Sequence, residues 1–315
     1  METGVRRVVL IGTGLVGMSF AYSLLNQGGV KELVLINRTK EKAMGEATDL
    51  SHGLPYSPYR MKIWAGDYED CQQADIIVIA AGSGRMAGGD RLSLLDGNAA
   101  MVKDIVSQIM ATGFNGILLM ASNPVDLLTY VAWKESGLPA SKVIGSGTTL
   151  DTARFRYEIG NYLNVDPRNI HGYIVGEHGD SEFPIWSHTT LGVTPVLDII
   201  HRHPDYTFEG LEQIFENVRN AGYEIIKQKG ATYYGIGMAL ARIVKAILND
   251  ENSIHPVSVC LNGQYGHRNV FIGFPALLNR DGVRKIIEVN LNPHEVAQLD
   301  NSVKILKSYL DDLDH

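Results

Sequence analysis

Over its first half the chain alternates between short apolar runs and longer segments of helical pattern. The runs Val8–Ile11, Leu33–Ile36, Ile76–Ala80, Ile117–Met120 and Val143–Ile144 are bounded by glycine or polar residues. Continuous apolar runs of this length suit strands buried on both faces, as in a parallel sheet covered by helices. Right-handed crossovers then predict a doubly wound α/β sheet. After about residue 150 the pattern changes to longer helices with scattered strands such as Val270–Phe274 and Ile286–Val289. Val296, Leu299, Val303, Leu306, Leu310 and Leu313 step by three and four, which is one apolar stripe on a helix. A second stripe is Leu211, Ile214, Phe215, Val218 and Ile225. The expected division is a dinucleotide-binding domain over 1–147 and an α+β substrate domain over 148–315. No internal repeat, low-complexity tract or long linker separates them.

Composition narrows the class. At 315 residues, 45% hydrophobic and 20% charged, the chain is long enough for one large or two packed domains and is not disordered. Its net charge of -7 argues against a basic face for nucleic acid. Two cysteines, Cys71 and Cys260, make no disulfide framework and lack zinc-ligand spacing, so no metal is expected and a cytoplasmic setting is. The apolar run after Arg6 and Arg7 stops at Gly12, far short of a signal core or a span of ~20 residues. The expectation is a soluble chain without a leader or membrane contact.

GTGLVG, with Gly12, Gly14 and Gly17, follows the first strand and opens a helix. In that context glycines permit a tight turn and close approach of a pyrophosphate to backbone N–H groups at the helix N-terminus. The second strand should end in an acid that binds the adenosine ribose. The residues there are Asn37 and Arg38. Asn37 bonds a ribose hydroxyl without repelling a 2′-phosphate, and Arg38 is able to pair with one. NAD and NADP are both open.

The second cluster carries acid–base chemistry. IVGEHGDS sets His178 between Gly176 and Gly179, where a substrate has access, and histidine exchanges protons near neutrality. GTTLDTARFR places Asp151 and Arg154 three residues apart on one helix face. A carboxylate that orients the histidine, beside a guanidinium that forks onto a substrate carboxylate, suits 2-hydroxy or 2-keto acids. SNPVD adds Asn123 at a strand end, where its amide would bond a carbonyl. AAGSGRMAGGDR is dense in glycine around Arg85 and Arg91, which suggests a lid closing over an anion.

Other readings are weaker. Tyr130/Lys134 and Tyr223/Lys227 have the spacing of a short-chain dehydrogenase pair, but two such pairs in one chain mark the motif as noise. No G-x-S-x-G is present for a hydrolase. His201 and His203 have no companion ligands in sequence. A nucleotide-sensing protein would keep the glycine loop but has no need of His178, Asp151 and two anion-binding arginines.

GTGLVG, DRLSLL, SNPVD, GSGTTLDTARFR, GEHGDS and KGATYYGIGMALARI, in this order, resemble the lactate/malate dehydrogenase family along essentially the whole chain. The resemblance is strongest to bacterial lactate dehydrogenases and lactate-dehydrogenase-like malate dehydrogenases. It implies a Rossmann-type domain followed by an α+β catalytic domain, and reversible hydride transfer between a nicotinamide cofactor and a 2-keto acid. By it, His178 is the proton donor and acceptor, Asp151 its partner, and Arg154 the grip on the C1 carboxylate. Arg91 would polarise the C2 oxygen and Asn123 would bond it. Leu15, Val16, Ala81, Gly82, Asn98 and Ser122 would line the cofactor with the glycines. The family forms dimers or tetramers, and its bacterial lactate enzymes often take fructose 1,6-bisphosphate at a subunit interface. Arg156 and His171 match the positions that hold that effector.

Four positions depart from the lactate pattern. Arg85 stands where lactate enzymes usually carry Gln and malate enzymes Arg, Met86-Ala87 replaces the usual Lys-Pro, and Asn37 replaces the ribose acid. Thr232 follows the lactate type. A guanidinium closed onto C3 of the substrate pairs with a second carboxylate and is left unpaired by a methyl group. Arg85 therefore tips the expectation toward malate and oxaloacetate, with lactate and pyruvate as the alternative.

Overall fold

The computed structural model describes residues 6–82 and 91–313, without the side chains of residues 91–94 and 312–313. Arg85 and the rest of 83–90 lie outside the described residues, as does the side chain of Arg91. The chain forms two compact units. The first runs up to Ser146 and includes Tyr233–Ile254 and Leu277–Lys285; the second holds Gly147–Thr232, His255–Ala276 and the chain from Ile286 on.

The first unit begins β1 (Arg7–Ile11), α1 (Leu15–Gln27), β2 (Glu32–Ile36), α2 (Lys40–Gly53), β3 (Lys62–Ala65) and β4 (Ile76–Ile79). It continues α3 (Arg91–Ala111), β5 (Ile117–Met120), α4 (Val125–Ser136) and β6 (Val143–Gly145). These strands lie side by side in the order β3-β2-β1-β4-β5-β6. Every ladder among them is parallel. This is the doubly wound order, which reverses direction between β1 and β4 and opens a crevice at the strands' carboxyl ends. The apolar runs are buried as two-sided strands must be: Val8, Val9, Leu10, Leu33, Val34, Leu35 and all of β4 are fully buried.

The second unit opens with α5 (Thr149–Tyr162), then β7 (Ile170–His171), β8 (Ile174–Val175), β9 (Phe183–Pro184), β10 (Thr190–Leu191) and β11 (Thr194–Pro195). α6 (Val196–Arg202) and α7 (Phe208–Lys229) follow. α7 starts where the Thr207 side chain accepts from the Gly210 N–H and stops at Gly230, whose φ of 84° an L side chain rarely adopts. Its stripe Leu211, Ile214 and Val218 packs with Phe155, Ile159, Ile170 and Ile174 in the core.

The chain then returns to the first unit as α8 (Tyr234–Leu248), which packs on α1. A Cβ on Gly237 of α8 would lie 2.6 Å from the Ser19 backbone, so only glycine permits this approach. β12 (Ser253–Asn262), β13 (Arg268–Asn279), β14 (Gly282–Ile286) and α9 (Pro293–Leu313) complete the chain. The strand expected at Ile286–Val289 is displaced. It starts at Gly282, directly after the turn at Arg280 and Asp281, and ends at Ile286. The turn sets where the strand begins, and the apolar residues after it only continue the chain. On α9, Leu299, Val303, Leu306 and Leu310 are buried as the stripe requires. Among the described residues no helix is long and apolar enough to cross a membrane.

Candidate functional site

The glycine loop sits at the strand-order reversal, where β1 and β4 end beside each other. Gly12 has φ 103°, and an added Cβ would lie 2.6 Å from the Ala81 nitrogen. A Cβ on Gly17 would lie 2.0 Å from the Gly12 carbonyl oxygen. Both glycines are therefore needed by the chain itself. Gly14 is not: its φ of -85° is ordinary, and a Cβ there meets no atom within 4 Å. What glycine provides at this position is room for another molecule against the backbone. The first turn of α1 carries no acidic residue, and its first described backbone bond runs from Met18 N–H to the Gly14 carbonyl. The N–H groups of Leu15 and Val16 thus belong to the unpaired first turn, the ready-made site for a phosphate. These features fit a dinucleotide pyrophosphate.

The other expected cofactor residues lie along the same carboxyl edge. Asn37, just past β2, donates from Nδ2 to Thr13 Oγ1 at 2.6 Å and accepts the Thr39 N–H at 3.0 Å. The amide is thereby fixed against the glycine loop, while Arg38 is exposed. Ala81 and Gly82 follow β4, and the Ser122 hydroxyl beyond β5 donates to the Ala81 carbonyl. Asn98, buried on α3, donates to the Asn123 carbonyl at 3.1 Å, and Asn123 itself is exposed. Arg91 is the first residue of α3.

In the second unit, the sequence-predicted acid–base residues come together. Gly176 and Gly273 exchange two backbone bonds of 3.0 Å, which tie the end of β8 to β13. A Cβ on Gly273 would lie 2.7 Å from the Thr148 side chain, so glycine is required there too. The start of α5 is pinned to β8 as well: Thr148 Oγ1 donates to the Ile174 carbonyl at 2.6 Å, and the Ile174 N–H donates to Thr152 Oγ1 at 3.0 Å. Asp151 on the first turn of α5 and His178 beyond β8 are thereby held in reach. His178 Nδ1 lies 2.7 Å from Asp151 Oδ2, and Arg154 donates to Asp151 Oδ1 at 3.0 Å. The loop bearing His178 is held from behind by α9, where Ser302 Oγ accepts the Glu177 N–H at 2.6 Å.

Asp151 is 2% exposed. Burial pushes its carboxyl pKa up, but the charge and hydrogen bond of His178 and the charge of Arg154 outweigh this and hold it below the usual carboxylate range. An anionic Asp151 favours the imidazolium form of His178, which is what a proton donor to a carbonyl oxygen must hold. The Arg154 side chain is 16% exposed, and Gly222 on α7 is the residue whose absent side chain leaves space near its terminal nitrogen.

Arg156 and His171 flank Gly172: Arg156 Nε donates to the Gly172 carbonyl at 3.1 Å, and the exposed His171 lies on β7. Thr232 is half-buried between α7 and α8. The Tyr130/Lys134 pair is a packing contact on α4, with the ammonium 5.4 Å from the centre of the buried ring. His201 and His203 meet different aromatics edge to face, Phe208 and Tyr206. Sequence reasoning missed Glu182, which lies in the same cluster as Asp151 and His178. A glutamate between Ser181 and Phe183 reads as a loop charge, and no spacing rule marks it.

The depressed Asp151 pKa has a stability consequence. A carboxyl whose folded pKa lies below its unfolded value of about 3.9 contributes stability above that value and loses it as pH falls through the folded one. Asp151→Asn should cost roughly 3 kcal/mol in urea unfolding at pH 7. That cost should shrink as pH drops below about 4. A cost unchanged over that range would contradict the depressed value.

Known proteins resemble this chain over nearly its whole length. Residues 6–145 match the lactate/malate dehydrogenase NAD binding domain, and residues 148–315 match the family's alpha/beta C-terminal domain. L-lactate dehydrogenase 2 of Bacillus cereus (strain ZK / E33L) is 57% identical over 307 residues, 98% of each chain. L-lactate dehydrogenase 1 of Bacillus anthracis is 55% identical over the same length, again 98% of each. A crystal structure of a lactate dehydrogenase from a Medee basin deep-sea metagenome library superposes with a TM-score of 0.96 at 56% identity, covering 98% of this chain and 99% of that one. The ligand-bound minor L-lactate dehydrogenase of Enterococcus mundtii gives 0.96 at 50% identity, covering 98% of each. With a Rossmann NAD-binding domain, a paired His178 and Asp151 and these full-length relatives, the chain is an oxidoreductase that belongs to the lactate/malate dehydrogenase family.

Proposed function

We propose that the protein is an NAD-dependent L-lactate dehydrogenase that interconverts pyruvate and L-lactate. The observation that carries the chemistry is the single buried carboxylate of Asp151, bonded by both His178 and Arg154. Held through Nδ1, the imidazolium of His178 gives a proton from Nε2 to the C2 oxygen and takes it back in the reverse direction. Arg154 forks onto the C1 carboxylate. Arg91 stabilises negative charge on the C2 oxygen, and Asn123 donates to the same atom. The bound cofactor supplies or accepts the hydride at C2. NAD is favoured over NADP because residues 6–145 match an NAD binding domain.

Pyruvate is favoured over oxaloacetate because full-length relatives at 55–57% identity are named L-lactate dehydrogenases. Arg85 supports the second reading. Its guanidinium would pair with the C3 carboxylate of oxaloacetate, and its burial against a methyl group would cost several kcal/mol. The lactate reading requires Arg85 to keep its charge in water when pyruvate is bound. Thr232 is placed with the substrate in this reading, and homo-oligomerisation as a dimer or tetramer belongs with it.

Kinetics with both keto acids and both cofactors test these assignments. Wild type should show higher kcat/KM for pyruvate than for oxaloacetate, and NADH preferred over NADPH by more than about 100-fold, or ~2.7 kcal/mol. A preference for oxaloacetate that moves toward pyruvate in Arg85→Gln would establish the malate reading instead. Equal use of NADPH would assign Arg38 to a 2′-phosphate.

Arg156 and His171 are proposed to hold an anionic effector of the sugar bisphosphate type at a subunit interface. Fructose 1,6-bisphosphate should raise kcat/KM or stabilise the oligomer in wild type and not in Arg156→Ala. Activation that survives the substitution would remove Arg156 from that role.

A further inference from the structure

Glu182 is a buried carboxyl with no role in the scheme above. It ends the loop from β8 to β9, yet it is only 5% exposed. Its Oε2 is buried without a hydrogen-bond partner among the described residues. Asp151, His178 and Glu182 each bring one oxygen or nitrogen within 4.8 Å of the others. The charged groups that act on Glu182 are Asp151 and Arg154 of α5 and His178 of its own loop. Two bare carboxylates this close in a dry site repel each other, and one of them takes up a proton. A metal ion is the other way to join them, but both Asp151 oxygens are already bonded, and the guanidinium on one of them repels a cation.

We propose that Glu182 is held as the neutral acid, donates a hydrogen bond to the Asp151 carboxylate, and serves as a positioning residue that fixes Asp151 and, through it, His178. The proposal rests on the dehydrogenase reading of His178. Burial and the charge of Asp151 push the Glu182 carboxyl well above its usual range, and the opposing charges of His178 and Arg154 do not reverse this. In the neutral acid Oε2 is the carbonyl oxygen, and leaving that oxygen unpaired costs far less than leaving an ionised one so. Asp151 then has three donors, from Arg154, His178 and Glu182. Its rotamer is fixed and the imidazole is aimed in one direction, while the cluster carries one negative charge instead of two.

The test compares wild type with Glu182→Gln in equilibrium unfolding from pH 5 to 7.5, at fixed protein concentration. Unfolding returns Glu182 to an ordinary pKa of about 4.3, so it releases the proton held in the folded chain. A raised folded pKa gives stability that is complete below the unfolded value and is lost as pH rises toward the folded one. Glutamine cannot titrate. The unfolding constant of wild type relative to the variant should therefore rise with pH in this window, by about tenfold per unit for as long as the pH stays below the folded value. A ratio independent of pH would mean that Glu182 is ionised and would overturn the proposal. Turnover reads the positioning role: Glu182→Leu, with no donor, should lose kcat by about tenfold or more with a smaller change in KM. Glu182→Gln, which keeps a donor, should recover most of that loss. A leucine variant with wild-type kcat, or a glutamine variant as impaired as leucine, would refute positioning. If folded wild type turned over no keto acid, the dehydrogenase reading would fail alone, because the unfolding ratio reports the Glu182 proton regardless.

Discussion

One buried carboxylate organises the chemistry of this chain. Asp151 accepts from Arg154 on one oxygen and faces His178 on the other, so the proposed anion anchor and the proposed acid–base group share a single negative charge. Such a charge is stable in a dry site only because both oxygens are satisfied. The surrounding backbone exists to keep that geometry. Thr148 and Thr152 bind the first turn of α5 to β8, the Gly176–Gly273 pair binds β8 to β13, and Ser302 of α9 holds the residue before His178. Side chains three and twenty-seven residues from Asp151 in sequence thus meet on one carboxylate.

The first unit solves a different problem with backbone alone. Parallel strands buried on both faces leave a crevice at the reversal of strand order, and the glycine loop lies in it. Gly12 and Gly17 are explained by close approach within the protein, while Gly14 faces open space, where the cofactor is proposed to approach. The cofactor reading is therefore carried by Gly14, the glycine of this loop that the fold does not need. The amide of Asn37, fixed by Thr13 and Thr39, takes the place of the usual ribose acid in that reading.

Much of this was legible in the sequence because it follows from local rules. Apolar runs of four or five residues mark two-sided strands, and GTGLVG in a strand–turn–helix marks the phosphate end. The i, i+3 spacing of Asp151 and Arg154 puts them on one helix face wherever the helix lies. Less local features escaped. β7 to β11 are two residues each and have no periodicity to read. The last strand was misplaced because a turn, not hydrophobicity, sets its start. Glu182 looks like a surface charge until the fold buries it beside Asp151, and a pKa raised by burial and by a neighbour far away in sequence leaves no local trace. For the proposed substrate, the residue type at Arg85 argues one way and the body of the chain the other.

The central claim is that Asp151 serves proton transfer through His178, its bond to Arg154 being one that an asparagine Oδ1 still accepts. A double-mutant cycle on kcat/KM for pyruvate with NADH, using Asp151→Asn and His178→Asn, tests this directly. In wild type, Asp151→Asn should cost about 100-fold or more, while in the His178→Asn background it should cost less than about threefold. Losses that multiply would mean that the two residues work separately, and would contradict the account.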